Sequence, residues 1–170
     1  IEKQVKAGKP VFLWGNFTHM HFRTHAKPES MGQSGRWQSE YHDAMIDHDK
    51  NVGTVLDMID KLGISENTIV MYSTDNGPHR NSWPDAGTTP FRSEKATTWE
   101  GGVRVPLLVR WPAKIPAGKV SNGIQEHHDL FATLASAEGV KDVNEKLRES
   151  HNVYIDGVDN LDHWTGDSPS

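Results

Sequence analysis

The stretch from Gln38 to Leu62 does most to constrain the fold. Tyr41, Met45, Asp49, Val52, Val55, Leu56, Ile59 and Leu62 recur at close to helical spacing, and Gly63 supplies a stop. A helix with one apolar stripe must lay that stripe against a second layer. The flanking runs offer one. Val11-Phe-Leu-Trp-Gly-Asn16 follows a Gly and a Pro and suits a strand buried on both faces, as in a parallel sheet. Thr68-Ile-Val-Met-Tyr-Ser73 is β-branched and aromatic and runs into Thr74-Asp-Asn-Gly-Pro78, a strand followed by a loop. Strand, helix, strand is a βαβ unit.

Pro106-Leu-Leu-Val-Arg-Trp111 predicts a third strand, and His127 to Glu138 a short helix ending at Gly139. The pattern as a whole predicts an α/β fold with a mainly parallel central sheet flanked by helices. Ligands of such sheets gather outside the carboxyl ends of the strands, where a His-rich loop and an Asp-Asn loop both fall. The segment from Pro78 to Gly102 is too long for a routine connection and has the composition of a functional loop. Residues 140–170 are polar and read as a weakly structured tail of the same domain.

Composition excludes several functions. The net charge is -5 and the 18 Lys and Arg residues are scattered, so no basic stripe suits nucleic acid. No apolar run approaches the roughly 20 residues that span a bilayer, so no membrane partner is expected. With Cys 0, disulfides, thiolate metal sites and a cysteine nucleophile are excluded within these 170 residues. Ile1 to Gly8 reads like the last turns of a helix closing on its glycine, so the chain reads as cut from something longer.

Asp75 and Asn76 place a carboxylate and an amide oxygen at a strand end, the hard ligands that Ca²⁺ or Mg²⁺ prefers. Taken alone, Asp-Asn-Gly-Pro is also an ordinary turn. His19, His21 and His25 suit metal binding, protonation of a leaving group or hydrogen bonds to an anion, and equally a polar loop that caps its neighbours. Lys95 offers a fixed positive charge to a sulfate or phosphate oxygen, although a lone Lys is more often a solvated surface residue. Glu100 and Arg104 read as a pair that holds a loop, Asp49 as a carboxylate bonding loop backbone, and Asp129 as a helix cap.

Taken together, Ser73-Thr-Asp-Asn-Gly-Pro78, Lys95-Ala-Thr-Thr-Trp-Glu-Gly-Gly-Val-Arg-Val-Pro106 and Trp111-Pro112 resemble the type I sulfatase (arylsulfatase) family, of the alkaline-phosphatase-like superfamily. The resemblance runs back through Pro10-Val-Phe-Leu-Trp14, His21 and Asp49-Lys-Asn-Val-Gly53. It runs forward through Asp129-Leu-Phe-Ala-Thr133 to Ile155-Asp-Gly-Val158. It implies that residues 1–170 are the later part of an alkaline-phosphatase-like catalytic domain that hydrolyses sulfate esters of a small molecule or carbohydrate. It implies that Asp75 and Asn76 ligate a divalent cation, Ca²⁺ rather than Mg²⁺. His21 and Lys95 would be catalytic, holding the sulfate group and its leaving oxygen, with His19 a further candidate because Phe22-Arg23 departs from the family's usual residues.

In that family the nucleophile is a formylglycine made within a Cys/Ser-x-Pro-x-Arg motif upstream. No such motif occurs here, so the resemblance implies that the upstream part of the same domain is a required partner and that this segment alone is inactive. It also implies a periplasmic or secreted setting. Two other readings compete: a phosphodiesterase or phosphonate hydrolase of the same superfamily, and a non-catalytic anion-binding module.

Overall fold

A computed structural model describes residues 1–166 of the chain. It divides into two compact units, Ile1–Val109 and Arg110 onward. The first contains the short helix α1 (Glu2–Lys6), the long helix α2 (Glu40–Lys61), strand β1 (Val70–Ser73), the single turn α3 (Glu100–Val103) and strand β2 (Leu107–Arg110), whose last residue opens the second unit. The second contains α4 (Asp129–Ala137), α5 (Val143–His151) and α6 (Leu161–Thr165). No helix among the described residues is long and apolar enough to cross a membrane.

The expected long helix forms with well-defined ends. Ser39 caps α2 by accepting the Tyr41 amide, and Asp85 accepts both the Ser39 amide at 2.8 Å and its hydroxyl at 2.9 Å. At the other end Gly63 has φ +66, and the Ile64 amide reaches back to the Ile59 carbonyl while that of Gly63 reaches Asp60. This closes the helix with a left-handed residue that glycine adopts without penalty.

The apolar stripe of α2 is covered at Tyr41 and Ile59 and half-buried at Val52, Val55, Leu56 and Leu62, but the first turns of the helix bury other residues as well. Tyr41, Asp43, Ala44, Asp47, His48 and Ile59 are buried, whereas Met45 and Asp49 are exposed. The carboxylates that bond loop backbone are therefore Asp43 and Asp47 rather than Asp49. A buried carboxylate is tolerable when backbone donors satisfy it, and here they do.

The sheet also departs from expectation. β1 and β2 form a two-stranded antiparallel sheet. The hydroxyl of Ser73, at the end of β1, donates to the carbonyl of Pro106, just before the start of β2, at 2.9 Å. Val11–Asn16 is not a strand: its backbone pairs with nothing regular and Phe12 and Trp14 are 78% and 76% exposed. The βαβ unit is therefore absent among the described residues. A strand exists only through a ladder of bonds to a neighbour, and no described segment lies alongside this one.

In the second unit, α4 packs on both α5 and α6. Asp129 is the first residue of α4 rather than its cap, a position His128 holds without a side-chain capping bond. Its carboxylate accepts the Glu126 and Val158 amides, each at 2.9 Å, and the Asn160 side-chain amide at 3.3 Å. Burial opposes its ionisation, but these donors outweigh that and lower its pKa. Thr133, fully buried, accepts the Asn160 amide at 2.9 Å. At Gly157 a Cβ would stand 2.1 Å from the His128 carbonyl, so only glycine allows this approach. Two motifs far apart in sequence, Asp129–Thr133 and Ile155–Val158, are thus one hydrogen-bonded unit. The stretch 140–170, expected as a weakly structured tail, forms α5 and α6, the latter anchored by buried Trp164, whose indole donates to Gln125 at 2.7 Å. The last four residues of that stretch lie outside the described part.

Candidate functional site

The site is built within the first unit from three loops. The first carries the histidines. Glu40, Asp43 and Asp47, one face of the first two turns of α2, hold the residues that follow them. Glu40 accepts the Ala26 amide at 3.0 Å, Asp47 the Lys27 amide at 2.7 Å and the Ser30 hydroxyl, and Asp43 the amides of Gly32 and Ser34. The Lys27 amide and the Ser30 hydroxyl hold the Asp47 carboxyl below the usual range, and the Ser34 and Gly32 donors do the same for Asp43. These donors favour the charged form because a carboxylate accepts more strongly than a carboxylic acid.

Within the His loop the three candidates separate. His19 is turned inward: its Nε2 lies 3.3 Å from the His25 carbonyl and its Nδ1 is buried. His21 is exposed, its ring 4.6 Å from that of Phe22. His25 faces Glu40 at 3.4 Å. Beneath the loop, His48 of α2 meets the Tyr72 hydroxyl of β1 at 3.0 Å and the edge of Phe17 at 5.4 Å. Burial, and then the neighbouring His19, push the His48 pKa down, so this histidine is a neutral packing element joining helix, strand and loop.

The second loop follows β1. Asp75 is exposed and Asn76 half-buried. Gly77 lies against the third loop so closely that a Cβ would fall 1.8 Å from the Gly101 carbonyl oxygen. Its amide donates to the Gly102 carbonyl at 2.9 Å, and the Lys95 amide donates to the Pro78 carbonyl at 3.0 Å. The Asp-Asn-Gly-Pro stretch bends the chain at Asp75 and Asn76 and is docked through Gly77 and Pro78 onto the loop that carries Lys95.

The third loop is itself rigidly braced. Ser93 and Ala96, either side of Lys95's neighbourhood, adopt φ +70 and +68, a conformation L side chains rarely take and one that tends to persist where surrounding contacts over-determine it. Those contacts are present. Gly101 donates to the Arg92 carbonyl at 2.8 Å, Thr97 to the Glu94 carbonyl at 2.7 Å, and the Arg92 and Arg104 guanidinium groups lie 3.8 and 4.2 Å over the rings of Trp99 and Phe91. Glu100 and Arg104 form the expected pair at 3.1 Å, exposed and structural in character.

The His loop joins the other two through residues that sequence reasoning missed. Phe22 packs against His79 with ring centroids 5.8 Å apart, and the Trp83 indole donates to the Phe22 carbonyl at 2.8 Å. The loops bearing His21, Asp75, Asn76 and Lys95 therefore form one contiguous cluster. His79 directly follows the Asp-Asn-Gly-Pro turn, which was a visible signal. The carboxylates at 40, 43 and 47 were also visible, as helix neighbours three and four apart.

Asp75 and Asn76 supply hard oxygen donors, but among the described residues no group of three or more His, Asp or Glu is arranged to hold a metal. The pair therefore fits part of a coordination shell of about six to eight oxygens.

Comparison with known proteins places these loops in a lineage. The sulfatase family matches residues 1–140. N-acetylgalactosamine-6-sulfatase of Canis lupus familiaris is 36% identical over 168 residues, 98% of this chain and 30% of that protein. Steryl-sulfatase of Rattus norvegicus is 39% identical over 138 residues, 78% of this chain and 24% of that protein. The crystal structure of PsFucS1 sulfatase from Pseudoalteromonas sp. matches with a TM-score of 0.85 at 33% identity, covering 96% of this chain and 32% of that one. The chain spans a third or less of the length of these proteins.

Proposed function

The chain belongs to the sulfatase family, and we propose that it forms the part of a sulfate-ester hydrolase's catalytic domain that carries two metal ligands and two sulfate-holding groups. The observation that carries this reading is the bond from the Lys95 amide to the Pro78 carbonyl, joined by that from Gly77 to Gly102. Together they set a loop bearing hard oxygen donors against a loop bearing an ammonium group.

Hydrolysis of a sulfate ester needs the negative oxygens of the sulfate held and the leaving oxygen neutralised as the S–O bond breaks. Lys95 is half-buried on a loop whose backbone is bonded to Pro78, so its charge is less screened than a surface lysine's. His21 is exposed with only a ring contact to Phe22 and is free to donate to the sulfate or its leaving oxygen, whereas His25, also exposed, faces Glu40 and His19 is engaged within the loop. In this reading Asp75 and Asn76 would hold a divalent cation, Ca²⁺ before Mg²⁺, which would supply positive charge beside the sulfate oxygens. The formylglycine nucleophile and the remaining ligands come from the upstream part of the domain, where Val11–Asn16 pairs as a strand of a mainly parallel sheet. A sulfated carbohydrate is the favoured substrate, because the relative covering 98% of the chain is named for a sulfated sugar.

The test is sulfate release from N-acetylgalactosamine 6-sulfate by the full-length enzyme. Lys95→Ala and Asp75→Ala are each expected to lower kcat about 100-fold or more, the usual loss when one transition-state charge contact is removed. Retention of full activity by both variants would overturn the assignment.

A further inference from the structure

His79 lies where the three loops meet and carries a buried ring nitrogen without a hydrogen-bond partner. It lies directly after the Asp75–Pro78 turn, and Pro78 accepts the Lys95 amide at 3.0 Å. Its ring packs on Phe22, which packs on His21. Its carbonyl accepts the Trp83 amide, and Trp83 in turn bonds the Phe22 carbonyl, so backbone and ring are both fixed.

The two ring nitrogens differ. Nδ1 is buried without a hydrogen-bond partner, whereas Nε2, also without a protein partner among the described residues, is not sealed from solvent. A buried N–H lacking an acceptor is rarer than an unsatisfied acceptor, so the hydrogen-bond network places the proton on Nε2. The outcome is an imidazole that presents its Nε2 outward from a ring held against Phe22. A group of this kind suits a hydroxyl or ring oxygen of a sugar better than the charged sulfate oxygens, which an ammonium meets more strongly.

We propose that His79 is a further substrate-contacting residue, donating from Nε2 to an oxygen of the sugar that carries the sulfate. This rests on the sulfatase reading above and deepens it, since it assigns a residue to the sugar rather than to the sulfate. A residue committed to the sugar contributes binding that the substrate and transition state share, so its loss raises KM and leaves kcat unchanged.

The experiment compares three variants in the full-length enzyme on N-acetylgalactosamine 6-sulfate and on 4-nitrophenyl sulfate, with thermal unfolding to verify folding. His79→Phe keeps the ring stack and removes both nitrogens. His79→Asn keeps a polar group near the Nδ1 position, and His79→Gln places an amide donor near Nε2. His79→Phe and His79→Asn are expected to raise KM for the sulfated sugar about tenfold, the worth of one good hydrogen bond. His79→Gln should stay within about threefold of the parent, and none should alter turnover of the aryl sulfate.

Parent-like KM in His79→Phe would reduce the residue to a packing role and overturn the proposal, and so would a tenfold rise in His79→Gln. A parent enzyme that releases sulfate from neither compound would instead overturn the sulfatase reading on which the proposal stands.

Discussion

Val11–Asn16 and Val70–Ser73 have closely similar local character, each a short apolar run introduced by turn or loop residues and leading into a polar loop. The second is a strand. It pairs with β2, its Tyr72 hydroxyl meets His48 on α2, and its Ser73 hydroxyl bonds the Pro106 carbonyl. The first is extended chain with its aromatic side chains in solvent. A helix pairs its own backbone and so answers to local sequence, whereas a strand answers to whatever lies beside it. The contrast teaches that the same β propensity is spent in one place and unspent in another.

The unspent run makes the largest prediction. An exposed apolar segment with unpaired backbone recruits another copy. Sedimentation velocity of the 170-residue chain should show self-association that weakens more than about tenfold when Phe12 and Trp14 are both replaced by Lys, given the apolar area each exposes. A monomeric parent would break the comparison, because it would mean that Val11–Asn16 satisfies itself.

The next prediction sharpens the other side. Gly77→Ala drives a Cβ into the Gly101 carbonyl and should cost about 3 kcal/mol or more in urea unfolding, because backbone rather than a flexible side chain blocks it. Loss below about 1 kcal/mol would show that the loop after β1 is not locked to the Gly101–Gly102 turn.

The pH dependence separates the loops held by α2 from both runs. Donors lower the folded-state pKa of Asp43 and Asp47 below the ordinary 3.8, so their contribution is fully present above that value and is lost as pH falls beneath it. Denaturation midpoints followed downward from pH 5 should decline below about pH 4, and Asp47→Asn should flatten the decline. An unchanged slope in that variant would remove Asp47 from the account.

Two smaller effects complete the series. Ser73→Ala removes the hydroxyl that ties the end of β1 to Pro106 and should cost about 1 kcal/mol. Glu100→Gln breaks a pair whose side chains are each 60% exposed, and should change stability by no more than about 0.5 kcal/mol in the same measurement.

Much of the site was legible because it lies in short contiguous motifs. Asp75, Asn76 and Lys95 as candidates, and the Glu100–Arg104 pair, could be read from neighbours a few residues away, whereas Asp129, expected as a cap, bonds Glu126, Val158 and Asn160 instead. The stops at Gly63 and Gly139 were legible for the same reason, both residues having left-handed φ. What escaped was long-range. His79 and Trp83 join the His loop to the Asp-Asn loop through contacts with Phe22, across about sixty positions of chain. Over the first two turns of α2 the interior residues escaped the pattern, because Asp43 and Asp47, polar in any hydropathy scale, are interior only by virtue of the backbone donors that surround them.

The sequence by itself determined α2 and α4 with their glycine stops, the residue types available for chemistry and the family to which the chain belongs. All of these rest on side chains and backbone a turn or two apart. Only the tertiary structure decided which apolar run became a strand, which carboxylates turned inward and which histidines faced outward. Each of those outcomes depends on a partner distant in sequence, whose presence sets whether burying a polar group or extending a backbone is favourable.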